Sequence, residues 1–271
     1  MERDEYQRLF ALEDSHWWFL GTRRASTVLL DKYLGSKTSD RWVLDAGCGT
    51  GGMLGTLQRY GRIFGVDASS EALLFGRQRF AAPLVRADVC RLPFVSESFD
   101  VVTSFDVIYH SDVSSDDAAL REMARVLRPR GLLLIRVPAL NLFRGRHDVA
   151  VHTRERYKRR DLEKKLKLNG FAPEFVSYLN CFLLPLAILR RGLERFFPGR
   201  EGSEVEPIAW WLNSALYKIL ATEANWIRSR TLPVGLSLVV VARKAEGTLQ
   251  LSAAGRSQMI GARCASDEVK A

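Results

Sequence analysis

The sequence predicts an α/β fold, a mostly parallel sheet with helices on both faces. Three observations lead there. From residue 41 onward, short apolar runs alternate with amphipathic stretches, the pattern of strands joined by crossover helices. One run passes straight into a glycine-rich turn, Val43-Leu44-Asp45-Ala46-Gly47-Cys48-Gly49-Thr50-Gly51-Gly52. Acids stand at or just beyond the ends of three successive runs, at Asp45, Asp67 and Asp88.

The first five runs are Trp42–Leu44, Ile63–Val66, Pro83–Val85, Phe99–Thr103 and Leu132–Val137. Ahead of the fifth, Leu120, Met123, Ala124 and Leu127 recur at i, i+3, i+4 and i+7. That is one face of a helix, which Pro129 and Gly131 should stop and turn into the next strand. Another helix is expected over 158–168, ended by Asn169-Gly170. A strand Glu174–Leu179 should follow. The seventh strand, Leu236–Ala242, is nearly all apolar and β-branched in its middle, so it reads as central or well covered. These elements assign residues 36–180 and 234–244 to the core.

Two segments stand outside the alternation. Residues 1–35 carry the aromatic cluster His16-Trp17-Trp18-Phe19, and residues 181–233 look helical, broken at Pro198–Gly202. Both read as additions over the ligand end of the sheet, a lid and a cap. Residues 245–271 turn polar and small, the composition of a frayed tail.

With 271 residues, 47% hydrophobic and 26% charged, the chain has the composition of a water-soluble globular protein. The net charge of +9 suits an anionic partner but also an ordinary solvated basic face. Cys48, Cys90, Cys181 and Cys264 lie far apart with no C-x-x-C pair, which argues against structural zinc or a disulfide framework. The acidic start Met1-Glu-Arg-Asp-Glu5 lacks a signal-peptide pattern, and no run of 18 uncharged apolar residues occurs. The expected location is cytoplasmic, with peripheral membrane contact as an option.

The glycine turn is the expected cofactor site. Glycines there allow positive φ and close backbone approach at the carboxyl end of a strand. Gly47, Gly49 and Gly52 also satisfy G-x-G-x-x-G, which by itself leaves a dinucleotide open. The acids favour another ligand. Asp45 suits the ammonium of a methionine moiety, Asp67 is placed to accept from both ribose hydroxyls, and Asp88 can read the amino edge of adenine.

On the loop D-x-G-C-G-x-G, on Ser98-Phe-Asp-Val-Val102, and on Leu120 through Ile135, the sequence resembles the class I S-adenosylmethionine-dependent methyltransferases. The resemblance runs over residues 41–180 and implies a Rossmann-like seven-stranded sheet. It also implies that Asp45, Gly47, Gly49, Asp67, Asp88, Phe105 and Asp106 line an S-adenosylmethionine pocket. One departure is Arg130, where the family often carries a second glycine in a Pro-Gly-Gly turn. The 147–157 stretch and the 16–19 cluster further resemble bacterial methyltransferases associated with polysaccharide and lipid-linked glycan assembly.

Methyl transfer from a sulfonium chiefly needs alignment, and an acidic nucleophile also benefits from a base. His110, just beyond the fourth strand, is the first candidate. His147 and His152 are the others, with Arg154 and Tyr157 as substrate contacts. In the lid, Trp17 and Trp18 would exclude water while Arg23 or Arg24 reaches the cofactor carboxylate. Glu223 lies in a predicted apolar stripe with Leu212, Leu216, Ile219, Trp226 and Ile227, so it must be paired or used; pairing with an arginine inside the cap is the favoured reading. The apolar stretch Phe182–Leu189 with Arg190 and Arg191 beyond it suits a membrane surface or a greasy substrate.

The expected activity is methylation of an oxygen or carbon of a small or lipid-linked metabolite, with no metal cluster visible and no nucleic acid as partner. Three alternatives stay open. Arg154–Lys167, with eight bases against three acids, allows an RNA or protein methyltransferase. The glycine loop allows a nucleotide-dependent oxidoreductase. A non-catalytic cofactor-binding relative is the third.

Overall fold

Seven strands form one sheet in the order β3-β2-β1-β4-β5-β7-β6 in the computed structural model, which describes residues 3–35, 38–139, 154, 156–189 and 207–246. The strands are β1 (Trp42–Ala46), β2 (Arg62–Asp67), β3 (Leu84–Arg86), β4 (Phe99–Phe105), β5 (Leu127–Pro138), β6 (Phe171–Leu179) and β7 (Ser237–Lys244). The first five pair in parallel, and β7 runs antiparallel between β5 and β6. The sheet is therefore mostly parallel and Rossmann-like. Because β7 is covered on both edges and both faces, its Leu238–Ala242 segment can be apolar at every position.

Helices flank the sheet: α1 (Arg3–Leu12), α2 (Trp17–Leu34), the short α3 (Leu54–Leu57), α4 (Ser70–Arg79), α5 (Asp116–Val126), α6 (Arg159–Leu168) and α7 (Trp210–Trp226). Their starts are chemically marked. Ser69 Oγ accepts from Ala72 N and Ser115 Oγ from Ala118 N, both at 3.2 Å, satisfying amide groups that have no partner inside the helix.

Three expectations need adjusting. Helix α5 ends at Val126, ahead of Pro129 and Gly131, and Leu127 already pairs with Phe99. Leu132 then pairs with Val101, so residues 128–131 bulge out of the ladder, and Arg130 takes a left-handed φ of 61°. Strand β6 begins at Phe171, earlier than expected, with a bulge between Pro173 and Phe175, next to the proline that has no donor for the ladder. In α7 the buried residues are Leu220, Glu223 and Ala224, with Ile227 just beyond, while Ile219 and Trp226 of the predicted stripe face outward.

Helix α7 packs along α2. The approach is close enough that a Cβ at Gly21 would stand 2.4 Å from Leu220 Cδ1, so glycine sets this helix spacing. Asn213 Oδ1 accepts from Trp17 N at 2.8 Å and its Nδ2 donates to Ser15 O at 2.9 Å. The lid and cap segments thus meet each other. At the other end of α2, Arg243 Nη2 donates to Tyr33 O at 2.8 Å, and Arg243 pairs with Leu132 early in the β5 ladder. The amino end of α2 therefore stands toward the carboxyl ends of the parallel strands. No helix among the described residues is long and apolar enough to cross a membrane.

Candidate functional site

The glycine turn follows β1 directly. Gly47 N and Cys48 N both donate to Val66 O, at 2.7 and 2.8 Å, which pins the turn to β2. Gly47, Gly49 and Gly51 have φ of 86°, 54° and 83°, the left-handed region. Their surroundings differ. A Cβ at Gly47 would strike Val107 at 2.2 Å, whereas one at Gly49 meets nothing within 4 Å, so the open approach to the backbone lies at Gly49.

Asp45 is 2% exposed, and its Oδ1 accepts from Thr103 Oγ1 at 2.7 Å. Burial pushes its carboxyl up to about 7, against the Thr103 hydrogen bond, with Asp67 raising it further and Arg136 lowering it. Asp67 accepts from Gly49 N at 2.8 Å and Ser69 N at 2.9 Å. Burial raises its pKa too, opposed by those backbone N–H groups and by His110. Asp67 therefore joins the glycine turn to the start of α4.

At the end of β4, Phe105 pairs with Arg136 of β5. Asp106, in a left-handed conformation with φ of 58°, donates its backbone N–H to Arg136 O at 2.9 Å. Its Oδ2 accepts from Arg136 Nε at 3.0 Å and Nη2 at 2.5 Å. The Arg136 guanidinium lies 5.3 Å from the Phe105 ring. Arg136 is 6% exposed, and its Nη1 has no hydrogen-bond partner among the described residues. Sequence reading missed Arg136 because an arginine inside an apolar run, Leu132–Val137, resembles a strand-edge charge. Its signal was that interruption itself.

Two more residues were not foreseen. Glu13, in the corner between α1 and α2, accepts from Thr50 Oγ1 at 2.5 Å and pairs with Arg79. Its carboxyl would fall 2.6 Å from a Cβ at Gly52, and burial raises its pKa. Tyr6 of α1 lies beside Ser69 and near Asp67, its pKa raised first by burial. The N-terminal segment consequently reaches both the glycine turn and the Asp67 turn. Neither residue carries a motif, since only the helix corner brings them there.

Other expected residues sit as follows. His110 forms the turn after β4, its ring stacked on Tyr109 at 4.7 Å and its charge felt by Asp67. Asp88 is exposed and accepts from Cys90 N at 2.8 Å, closing its own turn. Trp17 and Trp18 pack edge to face at 5.8 Å, half-buried at the start of α2. Arg23 donates to Glu13 O and Asp14 Oδ1, and Arg24 to Asn225 Oδ1 of α7. Both arginines thus brace helices, whereas Arg136 is the cation whose charge lowers the Asp45 pKa. His147 and His152 lie outside the described residues.

Three residues expected at the substrate have partners within the framework. Arg154 Nη1 donates to Val113 O at 2.7 Å and its backbone N to Tyr109 O at 2.9 Å, fastening the loop after β4. Tyr157 is 1% exposed and donates to Asp116 Oδ2 at 2.7 Å. Burial alone would raise the Asp116 pKa, but Lys165, Tyr157 and Arg154 around it win and lower it. Glu223, 2% exposed, accepts from the backbone N–H groups of Asn180 and Phe182, so it caps the turn after β6, and it pairs with no arginine among the described residues.

Known proteins match the same region. Residues 44–135 match the family model described as a methyltransferase domain. A "Probable S-adenosylmethionine-dependent methyltransferase" of Mycobacterium tuberculosis is 33% identical over 151 residues, covering 53% of this chain and 52% of that protein. A demethylmenaquinone methyltransferase of Corynebacterium kroppenstedtii is 37% identical over 115 residues, covering 42% of this chain and 46% of that one. The chain thus spans about half the length of these curated relatives. Among solved structures, geranyl diphosphate C-methyltransferase of Streptomyces coelicolor superposes with a TM-score of 0.56 at 17% identity, over 82% of this chain and 78% of that one. That likeness speaks for the fold. Fold and sequence match fall on the same segment: residues 44–135, which match the methyltransferase domain model, lie on the Rossmann-like sheet and include its glycine turn.

Proposed function

We propose that the chain is an S-adenosylmethionine-dependent methyltransferase acting on an oxygen or carbon of a small or lipid-linked metabolite. The observation that carries this reading is that Asp45 and Arg136 stand on one sheet face at its ligand end. Asp45 aligns with Thr103, Thr103 with Leu134, and Arg136 follows two residues later, so these side chains share a face. One is a buried carboxyl that gains from a cation, the other a buried guanidinium with an unused N–H. An α-amino acid zwitterion meets both needs, whereas a pyrophosphate would be repelled by Asp45.

When bound, S-adenosylmethionine supplies the electrophilic methyl group. The residues then divide the work. Asp45 holds the ammonium, Arg136 the carboxylate, and Asp67 accepts from the ribose hydroxyls through lone pairs that its two backbone donors leave. Gly49 keeps the turn open for backbone approach, and Glu13 closes the N-terminal corner over it. His110 takes or orients the acceptor proton. The lipid-linked acceptor is supported by the apolar surface of the cap, and peripheral attachment to a membrane goes with it.

Isothermal titration with S-adenosylmethionine, S-adenosylhomocysteine and NADH tests the reading. Micromolar binding of the two sulfur compounds, lost in Asp67→Ala, is the expected result. Binding of NADH alone refutes it.

A further inference from the structure

The outward face of α7 is apolar along its length. Trp211, Ala215, Ile219, Thr222 and Trp226 recur at spacings of four, four, three and four, and all five are exposed. Trp211 is 60% exposed, and Trp210 beside it 82%. At the far end Trp226 meets Phe182 edge to face at 6.3 Å. Phe182 leads into helical residues 184–189, where Leu186, Ile188 and Leu189 are each more than half exposed. This gives an apolar surface with tryptophans at both ends of a helix about 24 Å long. Such a surface needs a partner.

Charge decides which partner. The charged residues that α7 and its exit expose are all basic: Lys218, Arg228 and Arg230, the last lying 4.9 Å from the Trp226 ring. The only acid of α7, Glu223, is buried and tied to backbone N–H groups. A protein partner of mixed charge would be matched by mixed charge here. An anionic bilayer is matched by tryptophans, which favour the headgroup level, and by lysine and arginine that reach the phosphates while their stems stay apolar.

We propose that α7 and residues 182–189 form a docking surface for an anionic lipid membrane. The first turn of α7 is tied through Asn213 to the start of α2, which stands at the ligand end of the sheet. Docking therefore brings that end to the bilayer, where an amphiphilic acceptor would be found. The proposal deepens the peripheral attachment of the proposed function, and it rests on surface residues and not on the cofactor site.

Co-sedimentation of the full chain with vesicles tests it, comparing pure phosphatidylcholine with a mixture holding one third phosphatidylglycerol. The expected result is binding to the anionic vesicles that weakens with salt, and at least tenfold less binding to neutral ones. Trp211→Ser/Ile219→Ser should lower partitioning about tenfold, and Lys218→Glu/Arg228→Glu/Arg230→Glu should abolish the preference for anionic lipid. The second variant alters only solvated side chains, so it answers even where the first folds poorly. No sedimentation at low salt, equal binding by the charge-reversed variant, or a solution dimer that Trp211→Ser/Ile219→Ser dissolves would each overturn the proposal. Cofactor titration of the same samples keeps this outcome separate from that of the catalytic reading.

Discussion

Thr103 Oγ1 donates to Asp45 Oδ1 across 2.7 Å, the only side-chain hydrogen bond that this buried carboxyl makes among the described residues. One hydroxyl is too little solvation for a full charge in the core. The Asp45 carboxyl accordingly stays protonated up to about pH 7, against an ordinary value of 3.8.

The sign of the consequence is definite. Between pH 3.8 and about 7 the folded chain holds a proton that the unfolded chain has lost. This group therefore subtracts stability as pH rises through that window, and its full penalty persists above it. Asp45→Asn should unfold at a higher temperature than the parent at pH 8, with the difference gone near pH 4. Calorimetry across pH reads this directly. The same variant should lose S-adenosylhomocysteine binding, and the parent's affinity should climb with pH up to about 7 and then level off. An Asp45→Asn protein that is less stable at pH 8 would show that the carboxyl is satisfied by groups other than a ligand.

Arg136 yields a second prediction. Removing its guanidinium should weaken only ligands that bring a carboxylate. Arg136→Met is expected to bind S-adenosylhomocysteine roughly 10- to 100-fold less tightly. Methylthioadenosine, which lacks the amino-acid end, should bind parent and variant alike. Equal weakening of both compounds would mean that Arg136 merely keeps Asp106 and the β4 end in shape.

Tyr157 and Asp116 should behave as structural residues. Tyr157→Phe removes one buried hydrogen bond to a carboxylate that keeps Lys165, so a loss of about 1–3 kcal/mol is expected in urea unfolding. Cofactor affinity should not change. A Tyr157→Phe protein of parental stability but impaired turnover would restore the substrate role that the sequence suggested.

Arg130 offers a stabilising change. It holds φ of 61° in the bulge of β5, and its side chain is 81% exposed with a 3.6 Å ion pair to Glu246. Such a pair contributes little in water. Arg130→Gly removes the left-handed strain, partly offset by a looser unfolded chain, and should gain about 0.5–1 kcal/mol. Thermal unfolding of the two proteins checks it.

Much of this architecture was legible in the sequence because it is local. Strand positions and the glycine turn follow from residue periodicity and backbone sterics, which act within a few residues. The role of β7 was half legible: its apolar run announced coverage, while its antiparallel place between β5 and β6 depends on a chain reversal through the cap. The face of α7 was misjudged because both of its sides carry large apolar residues, and only the close approach at Gly21 selects Leu220 for burial.

The sequence by itself determined the fold class, the glycine turn and the strand-end places of Asp45 and Asp67, since each is a short motif with one backbone solution. The tertiary structure decided where the cations stand, turning Arg23 and Arg24 to helix bracing and putting Arg136 on the sheet face of Asp45. It likewise gave Arg154, Tyr157 and Glu223 partners within the framework. The physical reason is that a charge is identified by its partners, and these partners come from strands and helices far apart in the chain. Spacing along the sequence records where a charge is; only packing records what it is left to bind.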